Sequence, residues 1–180
     1  MKILQIHDPR QVSDFERICI ERTKSMIDAR RDSYEFIQIP YFDNIVDTIN
    51  YSDRVRFDWL ARNPDGVYVD TDCFLNFPLS AFTIEPDKPC FVLAPEGHVD
   101  IFFIICNGCP EFFAEHFAKE KRDAHVKNIP NNGLFYSWPV ELLPKLSDVN
   151  IIPNTAYVHG RLTMNSEIYS RIGGSNGHDR

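Results

Sequence analysis

Hydrophobic positions along the first part of the chain switch between a strand-like and a helical period. Lys2 to Ile6 is a short, mostly apolar run of the kind that forms a buried strand. From Ser13 to about Arg30 the apolar residues Phe15, Ile18, Cys19, Met26 and Ile27 recur at helical spacing, and Ser13 with Glu16 three residues on makes a capping box. Tyr34 to Ile39 then alternates as a strand and stops at Pro40. Strand, helix and strand in that order form the unit that builds a parallel sheet.

A second unit follows. A helix is predicted from about Ser52 to Arg62, with Val55, Trp59 and Leu60 on its apolar side and a stop at Asn63-Pro64-Asp65-Gly66. Val67-Tyr68-Val69 then makes a short strand, with Tyr68 facing away from its two valines, and delivers Asp70-Thr71-Asp72 to its carboxyl end. In open α/β sheets that edge is where ligands bind. Cys90 to Ala94 and Ile101 to Ile105 read as further strands, Glu111 to Val126 as a helix on the sheet, and Ile151-Ile152 and Thr155 to Val158 as short extended pieces. The expectation is an α/β fold with a single mixed, mostly parallel sheet flanked by helices. It forms one domain over residues 1–172, with a flexible glycine-rich tail over 173–180.

Composition narrows the function classes. A chain of 180 residues, 43% hydrophobic with 14 Phe, can bury one sizeable core. Its formal net charge of -7 argues against nucleic acid as a partner, because such proteins carry a basic footprint to displace counterions. No apolar run approaches the length of a transmembrane segment, and the N-terminus reads as a strand rather than a signal peptide, so the expected location is cytoplasmic. The five cysteines include one C-x-x-C pair, Cys106 and Cys109, without a second pair to complete a zinc site. Reduced thiols are the plain reading.

The chemistry concentrates at Asp70 and Asp72. Two carboxylates at i and i+2 on an extended segment point to one side and can converge on one hard cation, leaving positions open for substrate oxygens. A nucleotide diphosphate supplies such oxygens, and Mn2+ or Mg2+ suits the ligand set. An ion there would neutralise the charge growing on a departing diphosphate.

The stretch Ser52-Asp53-Arg54-Val55-Arg56, followed by Gly66-Val67-Tyr68-Val69-Asp70-Thr71-Asp72, resembles the DXD-motif sugar transferases. In that GT-A-type family, a helix beginning S-D-x-x-R leads through a tight glycine turn to a strand Y-x-D-x-D. Its relatives include bacterial and fungal mannosyl- and galactosyl-type transferases and the catalytic domains of glucosylating toxins. The family's Gly-Gly turn is Pro64-Asp65-Gly66 here. The resemblance implies a metal-dependent glycosyltransferase that moves a hexose from a nucleotide-sugar donor (UDP- or GDP-hexose) to a hydroxyl on a glycan, lipid-linked or protein acceptor. It also implies Asp70 and Asp72 as metal ligands, with His159 as the late histidine that closes the metal and diphosphate site. Asp53 would then accept hydrogen bonds from the donor sugar, and Arg56 would brace the sugar or the diphosphate. Ser52 or Asp53 could instead simply cap the helix. His7, ending the first strand on the nucleotide side, and Asp100, just ahead of an apolar run, are further donor-side candidates.

Two other readings compete. A transferase-derived module could bind a nucleotide sugar or glycan without turning it over. Haloacid-dehalogenase-like phosphatases also place D-x-D after a strand, but there a Thr normally follows the second Asp by two residues, where this chain has Phe74. Glycoside hydrolysis needs carboxylates on opposite faces of a sugar, which an i, i+2 pair on one face does not give.

Overall fold

The computed structural model describes residues 1–9, 13–27, 30, 32–43, 45–75, 83–93, 99–115, 148–152 and 157–159. Its elements run β1 (Lys2–His7), α1 (Asp14–Ser25), β2 (Ser33–Gln38), α2 (Ile45–Arg62), β3 (Gly66–Val69), β4 (Cys73–Leu75), β5 (Cys90–Leu93), β6 (Val99–Ile105), β7 (Asn150–Ile152) and β8 (Tyr157–His159). The predicted helix from Glu111 is helical backbone at 110–115, entered through Pro110, whose fixed φ suits a first turn. The rest of that helix and the 173–180 tail lie outside the described residues.

Six strands form one mixed sheet in the order β2-β1-β3-β6-β5-β7. β1 pairs in parallel with both β2 and β3, and β5 pairs in parallel with β7. β6 runs against both of its neighbours, β3 and β5, so the other strands share one direction. This is the α/β, mostly parallel architecture expected from the sequence. Because β1 leads out to β2 and the chain then crosses back to β3, the carboxyl ends of β1 and β3 flank the point where strand order reverses. A separate two-stranded ribbon, β4 against β8, was not foreseen.

Strand alternation sorts the core. Leu4, Ile6, Tyr68, Phe91 and Ile104 cluster with Phe57 and Leu60 of α2 and with Phe113. Ile3, Val67, Val69, Cys90 and Val92 belong to a second cluster. The pairing of β5 with β6 shifts register between Phe91 and Val92. Around that bulge Phe102 and Phe103 fall in the same cluster and Ile101 packs in the other, so alternation is broken where β6 reaches the carboxyl edge.

The capping box of α1 is present, with the Ser13 hydroxyl accepting from the Glu16 amide at 3.1 Å and the Glu16 carboxylate accepting from the Ser13 amide at 2.9 Å. α2 starts seven positions before the expected Ser52, because the pattern signal taken for its start lies mid-helix. Neither Ser52 nor Asp53 caps it. At the turn into β3 a Cβ on Gly66 would sit 2.7 Å from both the Asn63 carbonyl oxygen and the Trp59 ring, so only glycine fits. Among the described residues no helix is long and apolar enough to cross a membrane.

Candidate active site at the carboxyl end of β3

Asp70 follows β3 directly, and its amide donates to the Phe102 carbonyl at 2.8 Å. The segment after it is not extended. Cys73 N–H donates to the Asp70 carbonyl at 3.1 Å, closing a turn with Thr71 and Asp72 at its corners. The relative direction of the two carboxylates is therefore set by a turn, and strand alternation does not apply to them.

Behind Asp70 lies a buried ionic network. Arg56 and Asp53, one helical turn apart on α2, are 6% and 4% exposed. The Arg56 guanidinium donates through Nη1 to the Ile101 carbonyl at 2.9 Å and through Nη2 to the Ser52 hydroxyl at 3.3 Å. Nη2 also lies 3.0 Å from the Asp53 carboxylate and 3.4 Å from Oδ1 of Asp70. Its carbon stands 4.3 Å from the centre of the Tyr68 ring, a cation–π contact. The Tyr68 hydroxyl donates to the same Oδ1 of Asp70. Burial pushes the Tyr68 hydroxyl well above its ordinary pKa, opposed by the positive charge of Arg56 and reinforced by Asp70, so it stays a donor. The β6 irregularity gives this network its Ile101 carbonyl.

The turn is also held from the α1 side. Thr71 donates its hydroxyl to Glu16 at 3.0 Å, and Gln5, fully buried on β1, donates to the Asp70 carbonyl at 3.3 Å while accepting from the Tyr34 hydroxyl at 2.8 Å. Sequence reasoning gave Gln5 no role, read Glu16 only as a cap and Ser52 and Thr71 only as parts of a motif, and left Tyr68 open between core and site. A polar Gln inside the apolar run Lys2 to Ile6 was the one visible hint.

The other expected residues distribute as follows. Asp72 is partly buried and faces α1 closely enough that its charge helps raise the Cys19 thiol, after burial itself. His159 is the register partner of Cys73 in the β4–β8 ribbon, which puts its backbone beside the residue that follows Asp72. Asp100 is the register partner of Val92 on β6, at the same carboxyl edge as Asp70. His7 ends β1, is 8% exposed and has its ring 5.3 Å from that of Phe36, and its buried Nδ1 has no partner among the described residues.

Among the described residues no three His, Cys, Asp or Glu side chains gather as a ready ion cage. Hard carboxylate oxygens at 70 and 72 fit Mg2+ or Mn2+ when phosphate oxygens and water complete the shell. The cysteines offer no competing centre. All five are free, and burial pushes Cys90 and Cys106 up to about 12.

No protein-family model matches the sequence, and no curated protein does. Solved structures do share its fold. One is a glycosyltransferase involved in the glycosylation of the major capsid of PBCV-1, at TM-score 0.57 and 12% identity, covering 95% of this chain and 96% of that one. Another is the bifunctional glycosyltransferase WbbM, at TM-score 0.51 and 10% identity, where 84% of this chain spans 38% of that protein. The chain therefore has the fold found in glycosyltransferases, with its acidic turn at the carboxyl edge where that sheet's strand order reverses.

Proposed function

We propose that the protein is a metal-dependent glycosyltransferase that moves a hexose from a UDP- or GDP-sugar to a hydroxyl acceptor. One observation carries the reading: the Asp70-Thr71-Asp72 turn sits at the switch point of the sheet with the His159 strand paired next to it. The glycosyltransferase fold supports it.

Asp70 and Asp72 would hold Mn2+ or Mg2+, with His159 arriving from β8. When bound, the ion supplies Lewis-acid neutralisation of the charge on the departing diphosphate. The protein's own part is positioning. Arg56, with Asp53 behind it, fixes one oxygen of Asp70 in a dry setting, so the carboxylate meets the donor without reorganising. Both α2 residues then serve the donor sugar from behind Asp70, since almost none of their surface is open. The Nδ1 of His7, which has no partner among the described residues, is a buried polar atom that a bound nucleotide would satisfy, and Asp100 would flank the donor from β6.

Incubation with Mn2+ and a panel of UDP- and GDP-hexoses tests the proposal, with released nucleoside diphosphate as the readout. Metal-dependent release from at least one donor is expected. Saturable binding with no release from any donor or acceptor would make the chain a binding module instead.

A further inference from the structure

We infer, on the donor-cation reading just given, that Tyr68 is a positioning residue that fixes which oxygen of Asp70 faces the ion. Its hydroxyl and Nη2 of Arg56 both engage Oδ1, whereas Oδ2 has no partner among the described residues. Tyr68 is 1% exposed, so it does not meet the donor itself, and it acts on the site through Asp70, which its hydroxyl engages, and Arg56, which lies over its ring. The Asp70 side chain is 27% exposed, enough for an oxygen to face a ligand.

Three supports lock the ring. Tyr68 belongs to the core cluster with Leu4, Ile104 and Phe91, the Arg56 guanidinium covers one face, and β3 pairs on both sides at this residue, with Leu4 on β1 and Ile104 on β6. A phenol held this way cannot swing to follow Asp70. The aspartate is instead held to the phenol, which leaves Oδ2 as its single ligand-facing atom. Asp70 would thus offer a bound ion, or water on it, one oxygen, with Asp72 and His159 as the other proposed protein ligands.

The test is Mn2+ binding by electron paramagnetic resonance in the presence of UDP or GDP, for wild type, Tyr68→Phe, Asp70→Asn and the double variant. Tyr68→Phe keeps the ring and is expected to weaken Mn2+ binding roughly tenfold, the scale of one lost hydrogen bond to a charged group. In the Asp70→Asn background the same change is expected to have little further effect, a coupling that a merely structural role would not produce. Equal Mn2+ affinity for wild type and Tyr68→Phe, or full additivity in the double variant, overturns the positioning role while leaving the donor-cation reading intact. Absence of nucleotide-dependent Mn2+ binding in the wild type overturns both. Should Tyr68→Phe fail to fold, a wild-type crystal structure with Mn2+ and UDP or GDP decides: an ion on the Oδ2 side supports the inference, and an ion on Oδ1 overturns it.

Discussion

Thr71 and Glu16 are 55 residues apart in the chain, yet the threonine hydroxyl donates to the glutamate carboxylate at 3.0 Å. That carboxylate also completes the capping box of α1 with its other oxygen. One side chain therefore finishes a helix and holds the acidic turn.

Thr71→Val removes the donor and keeps the shape. It is expected to destabilise the fold by about 1 kcal/mol, read from urea unfolding. In a cycle with Glu16→Ala, which also loses the cap, the two effects should be less than additive. Strict additivity would show that the bond contributes nothing.

Asp70 and Asp72 should separate in stability. A carboxylate at the end of a strand usually contributes little to the core. Asp70, however, accepts from Tyr68 and pairs with Arg56. Asp70→Ala strands a buried hydroxyl and should cost about 1–3 kcal/mol, whereas Asp72→Ala should cost less. Asp70→Asn keeps an acceptor for Tyr68 and stays close to wild type in urea, while metal-dependent donor turnover falls by about a hundredfold or more. Near-normal turnover in Asp70→Asn and Asp72→Asn together would refute the site.

Arg56→Met removes the buried cation that faces both Asp53 and Asp70. A loss of about 3–5 kcal/mol is expected. Arg56→Lys should recover only part of it, because one ammonium cannot reach the Ile101 carbonyl, Ser52, Asp53 and Asp70 together. Chemical denaturation of both variants checks this, and a full recovery by lysine would contradict the multi-point role.

Stability should fall in alkali. Burial raises Cys90 and Cys106 from 9.0, and Tyr34 from 10.0, each to about 12. A raised folded-state pKa means the unfolded chain releases its protons first. The stabilisation is complete below about pH 9 and is lost as pH climbs towards 12. Urea midpoints at pH 7, 9 and 10.5 should be level and then decline, and a flat series across all three would disprove it.

Much of the fold was legible because long periodic runs carry their own signal. The capping box at Ser13, a strand over Ser33–Gln38 and the valines of β3 all appear as read, although burial along β2 does not alternate and Phe36 is exposed. What failed was local and physical. Ser52-Asp53 has the composition of a helix start, but Asp53 tolerates a mid-helix, buried place because Arg56 neutralises it one turn on, a pairing no one-dimensional pattern displays. The extended reading of Asp70 to Asp72 missed the turn closed by Cys73, and a three-residue strand such as β4 is too short to show a period. At the site, the charged residues stood out by type. Their supports, Gln5, Thr71 and Ser52, are ordinary polar residues whose meaning comes only from tertiary contact.

The ribbon that pairs Cys73 with His159 also has a consequence in time. A ribosome delivers both aspartates early and the strand that flanks them late, so this corner is completed only after nearly all the described chain has emerged. Whatever order the large sheet assembles in, any lesion that slows the docking of Tyr157 to His159 delays maturation of the acidic turn without touching it.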